Sequence, residues 1–182
     1  MLAKAPSDIH YARITRRQTL ANEYIAAAEH LSRASLDNDF GCAATNLSVL
    51  AFEILLKAVF FAETGMLRPK NGNGHNYIDF WRLIPETARD SILADAKERD
   101  PTHTHFNDMD ALLQKFQKVF SRGRYDYERN DERTLEEAHE IGLRWIDRGA
   151  PMHEADLEIP ANEIFCLNFA LGRYIDRLIS VG

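Results

Sequence analysis

The segment 40–64, "FGCAATNLSVLAFEILLKAVFFAET", is almost entirely apolar, with one acid and one base, Glu53 and Lys57, four residues apart inside it. When the segment is plotted at about 100° per residue, its polar positions form one stripe about 40° wide: Asn46, Glu53, Lys57 and Thr64. A helix on a protein surface has a much wider polar face. The pattern therefore predicts a core helix, which ends at Gly65 because glycine tolerates the left-handed terminator conformation.

The pair Glu53 and Lys57 has two interpretations. In the first, which we prefer, the stripe is the strip of this central helix that reaches water, where such a pair contributes about 0.2–0.5 kcal/mol. In the second, the stripe is a partly buried seam, and the pair orders a neighbouring element or faces a ligand. Burial would require full pairing, because an unpaired buried charge costs several kcal/mol.

The rest of the chain also has helical periodicity, and strand-like alternation is absent. The predicted helices cover residues 19–36 (or from near Ser7), 40–64, 75–84, 86–98, 108–122, 134–149 and 160–180. Thr134 and Glu137 fit a capping box, and Pro160 suits the first position of the last helix. These patterns predict an all-α bundle of five to seven helices. We expect one domain over 1–182, with 1–18 as a less certain N-terminal extension.

Composition narrows the functional classes. A formal net charge of −6 argues against broad, non-specific nucleic-acid binding, although a local basic patch is still allowed. No run approaches the ~20 apolar residues that span a bilayer, and the N-terminus lacks the apolar middle of a secretory signal. We therefore expect a cytoplasmic protein without membrane contact. The two cysteines, Cys42 and Cys166, have no paired spacing and are expected to be reduced, buried thiols.

Three short motifs occur in a characteristic order between about residues 20 and 130. The first lies in the core helix and comprises Ala51, Glu53, Leu56, Lys57, Ala58 and Gly65. The second opens the next helix and comprises Gly74, His75, Asn76 and Tyr77. The third comprises Arg124, Tyr125, Tyr127 and Glu128. In this order and spacing the chain resembles the HEPN superfamily of small bacterial and archaeal helical proteins.

The resemblance implies an up-and-down helical bundle, usually a symmetric homodimer. Some members of the family are metal-independent ribonucleases of toxin–antitoxin and phage-defence systems. Others are non-catalytic partners of minimal nucleotidyltransferases, or substrate-binding modules. The ribonucleases carry Arg-x4–6-His, often with Asn, Asp or His after the Arg. Across the dimer, the Arg would stabilise phosphate charge and the His would transfer protons.

Four Arg/His pairs have the nuclease spacing: Arg68/His75, Arg99/His105, Arg133/His139 and Arg148/His153. Arg133 and His139 lie at the start of a capped helix, where an anion could bind. However, a six-residue offset turns their side chains about 240° apart on an ideal helix. Arg99 precedes Asp100, as the family pattern prefers, but Pro101 is expected to put His105 in a loop. Because neither pair is convincing, our first hypothesis is a non-catalytic binding and dimerisation module with a separately encoded partner, such as a nucleotidyltransferase. The alternative is an endoribonuclease toxin controlled by an antitoxin.

The remaining candidate binding residues are Glu53, Lys57, His75, Arg124 and Tyr125. The segment 121–133 clusters arginines with tyrosines, which suits a contact with RNA or a nucleotide, but interleaved acids make its net charge zero. A surface helix end with paired charges is the simpler interpretation. His75 is expected to cap or pack the helix that it begins. The loop around His103 and His105 lacks the ligand spacing of a zinc site, so no metal or cofactor is predicted.

Overall fold

The computed structural model describes residues 8–34, 41–70, 74–101, 105–123, 134–151 and 159–180. These residues form seven α-helices, one short 3-10 helix and no strand, which confirms the predicted all-α bundle of five to seven helices. In chain order they are α1 Asp8–Ala34, α2 Gly41–Thr64, α3 Tyr77–Leu83, α4 Glu86–Arg99, the 3-10 helix His105–Asn107, α5 Met109–Gly123, α6 Leu135–Asp147 and α7 Ala161–Ser180.

The core helix predicted over 40–64 is observed as α2, which packs against α1, α3, α5 and α7. Ten of its apolar side chains are less than 5 % exposed, from Ala44 to Phe61. Edge-on aromatic contacts join it to its neighbours: Phe52 meets Phe116 of α5, and Phe60 meets Phe80 of α3. The prediction that no run could span a bilayer is wrong for α2, which is long and apolar enough by length and composition. Most of this helix is nevertheless buried inside the bundle.

α1 starts at Asp8, so the earlier of the two predicted starts is observed and residues 8–18 belong to the bundle. Ile14, Gln18, Ala21 and Ala28 are its buried positions, and Ala27 is exposed. α1 runs antiparallel to α2, because His10 near its start stacks on Phe61 near the end of α2.

The ends of the helices follow local chemistry. The capping box predicted at Thr134 is present: Thr134 Oγ1 accepts from the amide of Glu137, whose carboxylate accepts from the amide of Thr134. Gly65 and Gly149 have φ values of +69° and +85°, the left-handed conformation expected after a helix. The last helix begins at Ala161, one residue later than predicted, and the carbonyl of Pro160 accepts from Ile164.

α6 differs from the other six helices because none of its described side chains joins the buried apolar cluster. Ile141, Leu143 and Ile146 are 41 %, 48 % and 60 % exposed. Cys166 is buried as expected, and burial raises the pKa of its thiol, but Cys42 is exposed because it lies in the first turn of α2.

Candidate functional site

Glu53 lies at the centre of a polar cluster inside the bundle. Its side chain is 6 % exposed, and its carboxylate accepts hydrogen bonds from Lys57 Nζ at 2.6 Å and from the Tyr77 hydroxyl at 2.9 Å. His75 Nδ1 lies 3.0 Å from the same carboxylate. Lys57 and His75 are more accessible, at 26 % and 59 % side-chain exposure. The carboxylate therefore has the several partners that a buried charge requires.

The preferred interpretation of the polar stripe is thus wrong at Glu53, which lies in a partly buried seam, as in the second interpretation, and contacts a neighbouring element. The neighbouring element is α3 with the turn before it. Asn76 caps α3 by accepting from the Ile78 amide, while His75 packs face to face with Phe120 of α5. Of the two roles predicted for His75, packing is observed and capping belongs to Asn76. Burial, then the negative charge of Glu53, raises the pKa of Tyr77 far above its ordinary value.

A second buried carboxylate, Glu163, lies in the first turn of α7. His105, the first residue of the 3-10 helix, places its Nδ1 2.7 Å from Glu163 Oε1. The imidazole is 46 % exposed and the carboxylate 4 %. A histidine that is held by a buried carboxylate on one ring nitrogen has a fixed orientation, which is useful for either packing or proton transfer.

Arg99, the last residue of α4, contacts α7 about one turn beyond Glu163. Its guanidinium carbon is 4.4 Å from the ring centroid of Phe165 and 4.2 Å from that of Phe169. On an ideal helix, Phe165 and Phe169 project about 120–160° away from Glu163. The predicted pair Arg99 and His105 therefore contacts different sides of α7 within one protomer.

The other predicted pairs are only partly described. His139 is exposed on α6, whereas its partner Arg133 lies outside the described residues, as do Arg124 and Tyr125. His153 is also outside them, so the pair with Arg148 cannot be placed. Arg68 is exposed beyond the end of α2, while His75 is engaged with Glu53. Within the ranges that the structure describes, no three His, Cys, Asp or Glu side chains are grouped as metal ligands.

A cleft of about 760 Å³ lies between α1, the start of α2, the end of α4 and α7. Gln18 of α1 bridges to α7, because its Nε2 donates to the carbonyl of Gly172 at 3.3 Å and to Asp176 at 2.6 Å. Asn168, 5 % exposed, donates through Nδ2 to the carbonyl of Ser48 at 3.0 Å, and no donor in the described part of the chain reaches its Oδ1. The cleft is within the size range of small-ligand sites.

Arg99 differs from the other arginines that line this cleft in having no acidic partner among the described residues. Two other arginines that line it have acidic partners: Arg33 pairs with Glu29, and Arg173 lies 3.5 Å from both Asp95 and Glu98. Among the described residues no carboxylate pairs with Arg99, whose contacts are the rings of Phe165 and Phe169. The cleft therefore offers a guanidinium with donors available to an anion, beside two partly exposed aromatic rings.

Sequence reasoning did not identify Glu163, Phe165, Phe169 or Gln18. A signal was present for the two phenylalanines, because they lie four residues apart and off the apolar stripe of α7 formed by Ile164, Leu167 and Leu171. No such signal exists for Gln18, whose partners are more than 150 residues away in sequence. No family model, curated protein or solved structure matches the chain.

Proposed function

We propose that this protein is a non-catalytic, HEPN-like binding module that takes an anionic ligand in the cleft between α1 and α7. The observation that carries the proposal is the placement of Arg99: it has no acidic partner among the described residues and lies over two aromatic rings at the cleft. A guanidinium binds phosphate through a fork of hydrogen bonds, and a neighbouring ring can stack on a planar group. A nucleotide combines both features.

The module is proposed to act in the cytoplasm as a homodimer, together with a separately encoded protein such as a minimal nucleotidyltransferase. The support is the motif order in α2 and α3 together with the helical bundle. The contact of Arg99 and His105 with different sides of α7 makes a shared catalytic site within one protomer unfavourable, because proton transfer needs hydrogen-bond reach.

Adenosine 5′-monophosphate is a suitable probe of the cleft, measured by isothermal titration calorimetry. Arg99→Gln is expected to weaken its binding by about tenfold to a hundredfold, since a charge-assisted hydrogen bond is worth about 1.5–3 kcal/mol. Arg33→Gln is the matched control, because Arg33 lines the same cleft but is paired with Glu29. Equal affinity in the wild type and in Arg99→Gln, or no binding by the wild type, would contradict the proposed site.

The second candidate is a metal-independent endoribonuclease, favoured by one contact: His105 Nδ1 is held 2.7 Å from the buried Glu163 carboxylate. This arrangement resembles an oriented general base, and Arg99 with Asp100 matches the family order. Incubation of labelled RNA with the purified protein in EDTA tests it. The nuclease proposal expects cleavage that His105→Ala abolishes while His139→Ala does not, with both variants still folded at the assay temperature by circular dichroism. No cleavage by the wild type leaves the binding module as the better description.

A further inference from the structure

Three arginines of α1 form a basic face, which we define as Arg13, Arg16 and Arg17. On an ideal helix they fall within an arc of about 100°. None of the three has an ion pair or hydrogen bond with an acidic side chain of the described residues. Five other arginines in those residues do: Arg33 with Glu29, Arg82 with Asp110, Arg144 with Glu140, and both Arg173 and Arg177 with Asp95. In a chain with a net charge of −6, a local group of unneutralised cations is unexpected.

Arg17 is fixed in place rather than extended into solvent. Its guanidinium carbon lies 4.9 Å from the ring centroid of Phe61, and the same ring stacks on His10 at 4.5 Å. Arg17 Nη1 is buried and has no hydrogen-bond acceptor among the described residues. Burial, and then the charge of Arg13, lowers the pKa of Arg17. The nearby end of α2 contributes only the partial negative charge of a helix C-terminus, so the cation lacks a full counter-charge.

The basic face is separate from the cleft between α1 and α7. Gln18 and Asn22, which line the cleft, project at least about 100° away from each of the three arginines on an ideal helix. The two surfaces can therefore be altered independently. Arg13 and Arg16 are exposed, and the side chain between them in sequence, Ile14, is buried in the core.

We propose that the basic face binds the phosphodiester backbone of a single nucleic-acid strand. Guanidinium groups match phosphate oxygens in geometry as well as charge. From Arg13 to Arg17 the helix rises only about 6 Å, so the three side chains reach the phosphates of one strand. A protein partner would need an apolar or aromatic centre in its docking surface. The centre of this face is charged, and the exposed apolar residues Ile9 and Leu20 lie beyond its two ends.

The test is fluorescence anisotropy of a labelled, single-stranded 20-nucleotide RNA titrated with the full chain. Three phosphate contacts predict that affinity falls about twentyfold between about 50 and 200 mM salt, whereas one remaining contact predicts about threefold. Arg13→Gln/Arg16→Gln is therefore expected to weaken binding at low salt and to flatten the salt dependence. It leaves Arg17, which is packed on Phe61, unchanged.

The control is Arg82→Gln/Arg144→Gln, which removes the same charge from exposed arginines that have acidic partners and lie outside the cleft. This control should bind RNA like the wild type. Absence of binding at low salt, an equal loss in the control, or equal affinity for a labelled polyglutamate of similar length would overturn the proposal. Adenosine 5′-monophosphate binding that depends on Arg99 should be unaffected by Arg13→Gln/Arg16→Gln, so failure of this proposal is distinguishable from failure of the cleft proposal.

Discussion

The hydroxyl of Tyr77, at the start of α3, donates a 2.9 Å hydrogen bond to Glu53 in the middle of α2, and both side chains are buried. This contact joins residues 24 apart in sequence. It holds the short helix α3 against the core helix. The carboxylate of Glu53, inside an apolar segment, therefore has a structural role. The contact has consequences for stability and for pH dependence that can be measured.

Glu53→Ala is expected to lower the free energy of unfolding by about 3 kcal/mol, because removing one partner of a buried, charged network leaves the others unsatisfied. Tyr77→Phe should cost less, about 1–2 kcal/mol, since Glu53 keeps its contact with Lys57. Urea denaturation followed by circular dichroism measures both. Glu29→Ala, which removes an exposed carboxylate paired with Arg33, is the control and should change stability by less than about 0.5 kcal/mol. Similar losses for the Glu29 and Glu53 variants would contradict a structural role for the cluster.

Stability should fall as the pH rises above about 10, the ordinary pKa of tyrosine. Burial and Glu53 raise the pKa of Tyr77, so above this pH the unfolded chain has lost a proton that the folded chain keeps. The folded state then binds more protons, and the free energy of unfolding decreases by up to about 1.4 kcal/mol per pH unit for this group. Below pH 10 its contribution is fully present.

Urea denaturation between about pH 9 and 11.5 measures this dependence, and Tyr77→Phe should make it less steep. Tyr174 acts in the same direction, because burial, and then its hydrogen bond to Glu63, raises its pKa. Tyr174→Phe should therefore also reduce the slope. Parallel curves for the wild type and both variants would show that neither phenol is linked to folding.

Thr134→Ala should loosen α6 locally by about 1 kcal/mol, the usual cost of losing an N-cap. The melting temperature of the whole protein should change little, because no described side chain of α6 belongs to the core cluster. Hydrogen exchange of α6 amides measures the local effect. Thr134→Ser, which keeps the hydroxyl, should exchange like the wild type, and a large drop in melting temperature for Thr134→Ala would argue that α6 is coupled to the core.

Two glycine substitutions should have opposite signs. Gly65→Ala should destabilise the protein by about 1 kcal/mol, since φ is +69° and an added Cβ is strained there even though no atom lies within 4 Å. Gly172→Ala, inside α7 and equally free of neighbours, should stabilise it by about 0.5–1 kcal/mol through helix propensity. Thermal unfolding compares them directly. A loss of stability in Gly172→Ala would mean that this position in the cleft wall requires glycine and does not tolerate a methyl group.

The periodicity of the sequence predicted most of the helices because each depends on residues three and four apart. α2, α5 and the cap of α6 are clear examples, since apolar stripes and capping boxes are local. Burial of Glu53 could not be predicted in this way. The side chains that cover it, His75 and Tyr77, come from a later turn and helix, and helix periodicity within α2 carries no information about them.

The site was harder to predict than the fold for the same reason. Arg99 and His105 were selected by their spacing, but their positions depend on Phe165, Phe169 and Glu163, which lie about 60 residues later. Exposure was also misjudged at Cys42. A cysteine is compatible with either environment, so only the packing of whole helices decides where it lies.

The position of α7 has a consequence for synthesis on the ribosome. α7 covers α2 and α4 and is tied to α1 through Gln18, although it follows every other described helix in the chain. A nascent chain that has emerged only as far as α6 therefore leaves an apolar side of α2 open to water. During that interval we expect chaperones to bind the growing polypeptide. Messages truncated before codon 161 should yield insoluble products.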